Sequence, residues 1–404
     1  MFRRWFFTSS NTFSGEIFVK HFGYDESLYP KEIPTKHAKM KKLVPDNADE
    51  FTKNIIEKIM REKGDEIPVS HMPFDGFVQT GTTKLEKRGV SPIVPHWITD
   101  KCIQCNQCSL VCPHAAIRPK LIDPADLKDA PETFRHITAS GKEKDQYVYT
   151  IQVYIEDCQG CKVCVNECPV SALEMKPIAE ERANGETANA DFFDALPTDV
   201  MGSYKETTIK GSQFKQPLLE FSGACAGCGE TPYAKLVTQL YGDRMIIANA
   251  TGCSSIWGGT FPTIPYCKNK DGHGPTWANS LFEDNAEYSF GMRLAVNANR
   301  KQLKYNVEIL IEKEITPELK DVLQYALANW DAIDVEMKKN TAKIKELLTQ
   351  PQNLSCGNCK KILDKVIELQ NYFVRKSVWA FGGDGWAYDI GYGGVDHVMA
   401  SGRN

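Results

Sequence analysis

GACAGCGETPYAKLVTQLYGDRMIIANATGCSSIWGG, residues 223–259, predicts a cysteine-containing loop, a helix, a buried strand and a second loop that holds a third cysteine. Thr231 can cap the start of the helix, Pro232 suits its first position, and Gly242 follows its last apolar residue. Residues 245–248 form a short apolar run, which is typical of a buried strand. Because α/β proteins usually place their sites where such strands end, the stretch predicts an α/β domain with a site beside its third cysteine.

The three cysteines of this stretch, Cys225, Cys228 and Cys253, are candidate metal ligands. A structural zinc ion would need a fourth Cys or His close by, whereas an iron–sulfur cluster accepts a distant fourth cysteine. The alternative is that the three thiols are small apolar side chains of a core. The spacing favours an iron–sulfur cluster.

Composition excludes several classes of protein. The chain has 404 residues, 42% of them hydrophobic and 25% charged, which is typical of a globular protein of two or three domains. The net charge of -4 argues against a nucleic-acid partner, and no apolar run reaches the length of about 18 residues that a membrane span requires. Fourteen cysteines, most of them in C-x-x-C clusters, indicate metal ligands in a reducing compartment rather than disulfides.

Two repeats with the spacing C-x2-C-x2-C-x3-C-P give the second strong signal. The first contains Cys102, Cys105, Cys108 and Cys112, and the second contains Cys158, Cys161, Cys164 and Cys168. In bacterial ferredoxins with this spacing, three thiolates hold one [4Fe–4S] cube and the fourth, before proline, ligates the other cube. We therefore predict that Cys168 completes the first set and Cys112 the second. A pair of zinc ribbons is the alternative, and it does not explain the additional cysteine before proline.

The remaining sequence divides the chain into five segments. They are an N-terminal segment of uncertain structure (1–39), an extended linking segment (40–95), a ferredoxin-like α+β domain (96–177), a polar linker (178–216) and an α/β domain (217–404). The first residues contain two Arg and no acidic residue, which is typical of an organellar presequence and equally of an ordinary N-terminus. We also predict a strand at 147–155, helices from Asp46, Thr316 and Thr341, and irregular chain from Gly259 to Trp277.

A further C-x-x-C pair, Cys356 and Cys359, lies in a polar connection. A redox pair or a weak metal site is conceivable there. No thioredoxin-like βαβ pattern surrounds the pair, so we predict two solvent-near thiols without a chemical role.

Residues 377–390 predict a buried strand followed by the turn Gly383-Asp384-Gly385. Glycines let the backbone approach a phosphate, and an acidic residue between them can hold Mg²⁺ on a diphosphate. A dinucleotide fingerprint would need G-x-G-x-x-G, but the third residue past Gly385 is Tyr388. A plain turn is the remaining alternative.

Together these motifs resemble one family, the pyruvate:ferredoxin oxidoreductases within the 2-oxoacid:ferredoxin oxidoreductases. The resemblance covers roughly residues 40–404 and rests on Thr82-Thr-Lys-Leu-Glu86-Lys-Arg88-Gly, Gly223-Ala-Cys-Ala-Gly-Cys-Gly-Glu230-Thr-Pro, Asn249-Ala-Thr-Gly-Cys253-Ser-Ser and Gly382-Gly-Asp-Gly-Trp-Ala-Tyr-Asp389-Ile-Gly. It implies a doubly wound α/β domain that binds thiamine diphosphate, preceded by an α+β ferredoxin-like domain with two [4Fe–4S] clusters.

The resemblance also implies roles for individual residues, though it assigns no catalytic residue in this chain. Cys225, Cys228 and Cys253 would hold a third [4Fe–4S] cluster, the one nearest to thiamine diphosphate. Asp384 would coordinate Mg²⁺. The residues expected to line the cofactor are Glu230, Cys253, Gly383, Asp384, Gly385 and Trp386.

The implied reaction is the oxidative decarboxylation of pyruvate with CoA to acetyl-CoA and CO2, with electrons passed through the clusters to ferredoxin or flavodoxin. Members of this family are expected to be homodimers, in the cytoplasm or in a hydrogenosome or another mitochondrion-related organelle. Their N-terminal part and C-terminal segment, with the remaining Mg²⁺ ligands and the fourth cysteine of the third cluster, have no counterpart here. We therefore expect a fragment or one subunit of a split enzyme. The alternative function is an iron–sulfur electron-transfer protein without its own catalysis.

Overall fold

The two cysteine repeats and the stretch around Gly223 form two parts of one fold, seen in a computed structural model. The structure describes residues 43–260, 262–350, 359–388, 392 and 394–402, and Leu43–Asn404 is one compact unit. The predicted N-terminal segment 1–39, Cys356 and Asp389 lie outside the described residues. Below, the cysteine-repeat part means residues 93–216 and the α/β part means residues 217–402.

Residues 43–92 contain one short helical stretch and then extend across both parts. A π-helical turn, Thr52–Ile56, continues into helix α1, Glu57–Met60, so the helix predicted from Asp46 ends four residues before Gly64. The chain then makes only short 3₁₀ turns, the last of them at Thr82–Leu85. Phe74 is fully exposed, so this segment has no core of its own there, as the sequence predicts for an extended segment.

The cysteine-repeat part is an α+β fold with two small antiparallel sheets. Its elements are β1 (Ile93–Trp97), α2 (Gln107–Leu110), β2 (Ile117–Ile122), β3 (Ile137–Thr138), β4 (Val148–Val153), α3 (Val163–Asn166) and β5 (Leu173–Pro177). Strand β1 pairs with β5, and the second sheet has the order β2-β4-β3. Each repeat contributes one short helix that contains its third cysteine. Strand β4 confirms the strand predicted at 147–155.

Residues 178–216, predicted as a polar linker, form helices that pack on residues 93–177 of the same part. These are α4 (Ile178–Ala183), α5 (Glu186–Ala195) and α6 (Ile209–Ser212). Phe193 and Leu196 are buried in the same core as strand β4. The acidic composition is misleading because Glu186 is itself buried and accepts a hydrogen bond from Gln152 Nε2 at 2.9 Å.

The α/β part is built on a parallel sheet of the described strands in the order β7-β6-β8. Its elements begin with α7 (Thr231–Tyr241), β6 (Met245–Ala250), α8 (Cys253–Ser255) with a π-helical turn (Ile256–Thr260), β7 (Thr276–Ser280) and α9 (Asn285–Leu310). They continue with α10 (Pro317–Ala328), α11 (Val335–Leu348), α12 (Lys360–Leu369), β8 (Ser377–Phe381), α13 (Asp384–Ala387) and α14 (Val395–Ala400).

Helices cover both faces of this sheet. Successive side chains of a strand point to opposite faces. Ile247 on strand β6 packs in one cluster with Ala234 of α7, whereas Ala250 packs with Ala286 of α9 on the other face. Asn285, the first residue of α9, donates from Nδ2 to the carbonyl of Ala248 at 3.3 Å. The predicted α/β architecture is therefore present in coarse form.

Two expectations for this sheet need correction. The chain predicted to be irregular from Gly259 to Trp277 is irregular over residues 262–275, but strand β7 begins at Thr276, where the indole of Trp277 donates to Asn249 Oδ1 on β6 at 3.1 Å. Strand β8 was expected to be buried and is instead only partly so. It pairs with β6 alone among the described strands, which leaves its other edge without a strand.

Helices α9 to α12 form a separate apolar cluster. The predicted helix at Thr316 is confirmed, since the Thr316 hydroxyl accepts from the amide of Leu319 at 3.4 Å and begins α10. Cys359 is only 1% exposed and belongs to this cluster, so the prediction of a solvent-near thiol was wrong there. It immediately precedes α12, whose apolar side faces the cluster. Among the residues described, no helix has the length and apolar character needed to cross a membrane.

A buried lysine joins the two parts. Lys235 of α7 is 2% exposed, and its ammonium group donates to the carbonyls of Ser109, of Leu110 at 3.1 Å and of Cys112 at 3.2 Å. These carbonyls lie at the C-terminal end of α2, where a positive charge is favourable. Burial lowers the pKa of Lys235 to about 8.

We expect Lys235→Met to lower the melting temperature clearly, because it removes a charged donor from three buried carbonyls. Loss of hydrogen bonds from a charged group costs about 2 kcal/mol or more, equivalent to roughly 2–3 °C in a protein of this size. Differential scanning fluorimetry measures the shift. Lys339→Met is the control, since Lys339 forms an exposed pair with Glu336 that contributes little. Equal shifts in the two variants would contradict a role for Lys235 at the interface.

Candidate functional site

Two cavities inside the cysteine-repeat part are each lined by four cysteines. The first cavity is lined by Cys102, Cys105, Cys108 and Cys168. The second cavity is lined by Cys112, Cys158, Cys161 and Cys164. Each cavity therefore receives three cysteines from one repeat and its fourth from the other.

Backbone amides point at the sulfur atoms from the cysteine loops. The bonds run from Gln104 N to Cys102 Sγ (3.4 Å), Ala116 N to Cys112 Sγ (3.3 Å), Gly160 N to Cys158 Sγ (3.4 Å) and Ala172 N to Cys168 Sγ (3.2 Å). Left-handed backbone at Asn106 and Lys162 starts helices α2 and α3 in the two repeats alike. Amide donors of this kind stabilise thiolates and influence the potential of an iron–sulfur cluster.

Burial makes free thiolates unfavourable in these cavities. Burial, with the neighbouring thiols of the same cavity, raises the pKa of Cys158 to about 12 and raises the pKa values of Cys108 and Cys164 strongly. Buried thiols of this kind stay protonated at neutral pH unless a metal centre stabilises the thiolate.

Cluster geometry suits the two cavities better than a single ion does. In the described part of the chain, no three His, Cys, Asp or Glu side chains converge closely enough to hold one metal ion. A zinc ribbon needs its four ligands around one ion. A cube of four irons and four sulfides holds its thiolates farther apart, at its corners.

The loop of Cys225 and Cys228 lies against the second cavity. A side chain on Gly227, which has a φ of +76°, would come within 3.7 Å of Cys161 Cβ. The chain that leads into the loop is fixed to the cysteine-repeat part by a hydrogen bond from Phe221 N to the carbonyl of His114 at 2.9 Å.

His114 was not predicted from the sequence. It follows Cys112-Pro113, is 2% exposed, and places Nδ1 3.1 Å from the carbonyl of Ser222. Burial lowers its pKa, so the neutral ring donates to that carbonyl. The only available signal was its position directly after a Cys-Pro pair.

The third predicted cysteine, Cys253, lies at the other end of the site. It is exposed at the start of α8, after Gly252 at the C-terminal end of β6. Cys225 is exposed as well, and Cys228 is partly exposed. Cys253 lies on a separate loop from Cys225 and Cys228. Among the described residues, no hydrogen bond joins the three thiols.

The Gly-Asp-Gly turn meets the Cys253 loop where two parallel strands end. A side chain on Gly252 would lie 4.0 Å from the amide nitrogen of Gly383, so strands β6 and β8 bring two glycine-containing turns together. Asp384 is exposed at the start of α13, and its Oδ1 accepts from the amide of Gly385 at 2.9 Å. A side chain at Gly382 would collide with the Trp386 indole, so only glycine fits there.

The two other predicted lining residues are held differently. Glu230, the residue before α7, accepts a hydrogen bond at Oε2 from Trp257 Nε1 at 3.1 Å, which fixes its carboxylate beside the turn that follows Cys253. Trp386 is 7% exposed and packs with Ala250 at the end of β6. The Trp386 indole therefore packs between the Gly-Asp-Gly turn and the end of strand β6.

Two family models match the chain. The EKR model, described as a domain of unknown function, matches residues 37–91. A second model, described as a 4Fe-4S dicluster domain, matches residues 101–172.

Similar proteins cover most of the chain. A pyruvate:ferredoxin oxidoreductase of Moorella thermoacetica is 52% identical over 357 residues, which are 88% of this chain and 30% of the relative. A pyruvate-flavodoxin oxidoreductase of a Nostoc species is 46% identical over 371 residues, 89% of this chain and 30% of the relative. A pyruvate dehydrogenase (NADP+) of Cryptosporidium parvum is 43% identical over 401 residues, 92% of this chain and 21% of the relative.

The chain thus spans between 21% and 30% of the length of these three relatives. The predicted resemblance is confirmed. The matches extend over nearly all of this chain at 43% to 52% identity, so the chain is similar to one part of pyruvate:ferredoxin and pyruvate-flavodoxin oxidoreductases.

Proposed function

We propose that this chain is the electron-transfer and cofactor-binding part of an enzyme that oxidatively decarboxylates pyruvate with CoA to acetyl-CoA and CO2. The observation that supports this most is the packing of the Cys225 loop against Cys161, which connects the second cavity to the α/β site. The names of the relatives, which include pyruvate together with ferredoxin or flavodoxin, support the substrate and the electron acceptor.

The iron–sulfur assignment follows the cavities. Four cysteines and their amide donors fit one [4Fe–4S] cluster in each cavity, with Cys168 and Cys112 as the crossed ligands. Cys225, Cys228 and Cys253 are proposed as three ligands of a third cluster, because they lie on loops between the second cavity and the Gly-Asp-Gly turn.

The α/β site is proposed to hold thiamine diphosphate and Mg²⁺. Asp384 fits the metal because its carboxylate is exposed at the end of a strand, and the open space beside Gly383 lets a diphosphate approach the backbone. Glu230, Cys253, Gly385 and Trp386 would complete the lining. When bound, thiamine diphosphate supplies the electron sink for the decarboxylation of a 2-oxoacid. The hydrogen bond from Trp257 fixes the Glu230 carboxylate, so this proposed lining residue is already held in place.

The order of electron transfer follows from the packing. Electrons leaving the α/β site would first meet the proposed third cluster and then the second cavity. Cys112 connects the second cavity to the first through Cys108, four residues earlier. Ile103, next to the cysteines of the first cavity, is 54% exposed. The first cavity is therefore the place where ferredoxin or flavodoxin would approach most closely.

The assembly and the compartment remain part of the proposal. We propose a homodimer for the complete enzyme, in the cytoplasm or in a mitochondrion-related organelle. A relative from Euglena gracilis that is 44% identical has mitochondrial in its name, which supports the second compartment.

The test of the function is binding of thiamine diphosphate with Mg²⁺, measured by titration calorimetry on the anaerobically purified chain supplied with the remaining segments of the enzyme. Binding in the presence of Mg²⁺ only is the expected result. A chain that contains both ferredoxin-type clusters and binds no thiamine diphosphate would instead support an electron-transfer protein without its own catalysis.

We expect Cys112→Ala to damage the cluster of the second cavity and to spare that of the first, although Cys112 belongs to the first repeat. Electron paramagnetic resonance of the dithionite-reduced variant distinguishes the two clusters. Cys267→Ala is the control, because Cys267 is a buried cysteine that lines neither cavity. Loss of the cluster of Cys102 instead would contradict the crossed assignment.

We expect Asp384→Ala to weaken Mg²⁺-dependent binding of thiamine diphosphate by more than tenfold, about 1.4 kcal/mol, because the variant lacks a metal ligand. The two ferredoxin-type clusters should remain reducible by dithionite. Asp321→Ala changes an exposed acidic residue on α10 and serves as the matched control. Binding at the unmodified level in Asp384→Ala would show that the turn has no metal-binding role.

A further inference from the structure

The segment at residues 81–89 connects the two parts of the fold, and it lies within the region matched by the domain of unknown function. Its first half is bonded to the α/β part. Gly81 N donates to the carbonyl of Tyr266 at 2.7 Å, and the Thr82 hydroxyl accepts from Ile264 N at 2.7 Å. Glu86 Oε2 accepts from the Thr263 hydroxyl at 2.9 Å.

The second half of this segment is bonded to the cysteine-repeat part. Gly89 N donates to the carbonyl of Glu156 at 2.9 Å. Gly89 has a φ of +56°, and a side chain there would collide with the Glu156 carboxylate and the Arg182 guanidinium. The left-handed backbone at Gly89 therefore favours glycine where the chain passes close to the cysteine-repeat part.

Lys87 lies at the point where the segment passes from one part to the other. Its Nζ is 2.5 Å from Oδ2 of Asp157, whose side chain is 3% exposed and which directly precedes Cys158 of the second cavity. The same Nζ lies 4.7 Å from the ring centroid of Phe221. Phe221 is four residues before Cys225.

One side chain thus contacts the flank of both cysteine loops. Arg118 covers the Phe221 ring as well, at 4.9 Å, and its Nη2 donates to Glu220 at 2.6 Å. The Phe221 ring is therefore held by two cations, of which Lys87 alone also binds Asp157. Neither contact involves a cysteine sulfur, so the loops are fixed from outside the cavities.

We propose that residues 81–89 form an interdomain strap that sets the separation between the cluster of the second cavity and the cluster of Cys225, with Lys87 as its positioning residue. This assigns a role to the segment of unknown function and rests on the proposed function. Electron transfer between two centres depends steeply on their separation, so a residue that fixes two cluster loops acts on the reaction without touching substrate or cofactor.

The test compares three variants of the anaerobically purified chain by amide hydrogen exchange and by magnetic resonance. Lys87→Met should increase exchange at residues 156–161 and 221–229 by roughly tenfold or more, because both loops lose a charged contact. In the complete enzyme, where the third cluster has its fourth ligand, Lys87→Met should also weaken the magnetic interaction between the two reduced clusters, a signature that a general loss of stability does not produce while both clusters remain bound. Lys87→Arg, which keeps the cation, should restore both values.

Lys84→Met is the matched control within the same segment. Lys84 forms an ion pair with Asp194 at 2.9 Å, on α5 rather than on either cysteine loop, so its loss should change exchange in the two loops much less than Lys87→Met does. If Lys87→Met does not fold, Asp157→Asn tests the same contact and should also increase exchange at residues 221–229.

Unchanged exchange in both loops of Lys87→Met, or an equal change in Lys84→Met, would overturn the proposal. Exchange is measured without thiamine diphosphate. Failure of that cofactor to bind the unmodified chain would therefore contradict the proposed function and leave the exchange result as an independent test of the strap.

Discussion

The cysteine-repeat part depends on the crossing of its fourth cysteines. Each cavity takes one cysteine from the opposite repeat, so neither cavity is complete until both repeats have folded against each other. The sheets follow from this constraint. Strand β1, which leads into the first repeat, pairs antiparallel with β5, which leaves the second, and β2 and β4 pair between the repeats. The strands therefore close the two repeats into one unit around the sulfur atoms.

The interface between the two parts is polar, although it is buried. Lys235 enters the cysteine-repeat part and binds backbone carbonyls, while Arg118 reaches in the opposite direction to Glu220. Removing charges from water is costly, and such pairs contribute little net stability compared with an apolar contact of the same size. These hydrogen bonds are directional, so each of them can form in only one arrangement of the two parts.

The sequence predicted the features that depend on local chemistry. Cysteine spacing predicted which thiols would share a cavity, and the Thr-Pro starts predicted α7 and α10 to within a residue. It did not predict the features in which polar residues are buried. Helix α9 was not predicted because its sequence is polar on average, and polar residues such as Asn285 and Arg300 are buried and hydrogen-bonded in it. The helices of residues 178–216 were missed for the same reason.

The site at the strand ends was only partly predictable. The Gly-Asp-Gly turn and the Cys253 loop are far apart in the sequence, and each is a weak signal alone. Their approach depends on β6 and β8 being neighbours in a parallel sheet, which places Gly252 beside Gly383. No local sequence pattern indicates this pairing, because the helical segment between the two strands does not show which strands become neighbours in the sheet.

The position of the strap explains why the interface is built from directional bonds. An apolar interface can slide by a fraction of a side chain at little cost, whereas a change of that size between two redox centres alters the rate of electron transfer. The loop of Cys225 is short and largely exposed, so its own packing cannot fix its distance from the loop of Cys158. The contacts of Lys87 with Asp157 and Phe221, just outside the cysteines, are proposed to fix this distance. Directional polar bonds are thus better suited than an apolar contact to hold the two proposed clusters at one distance.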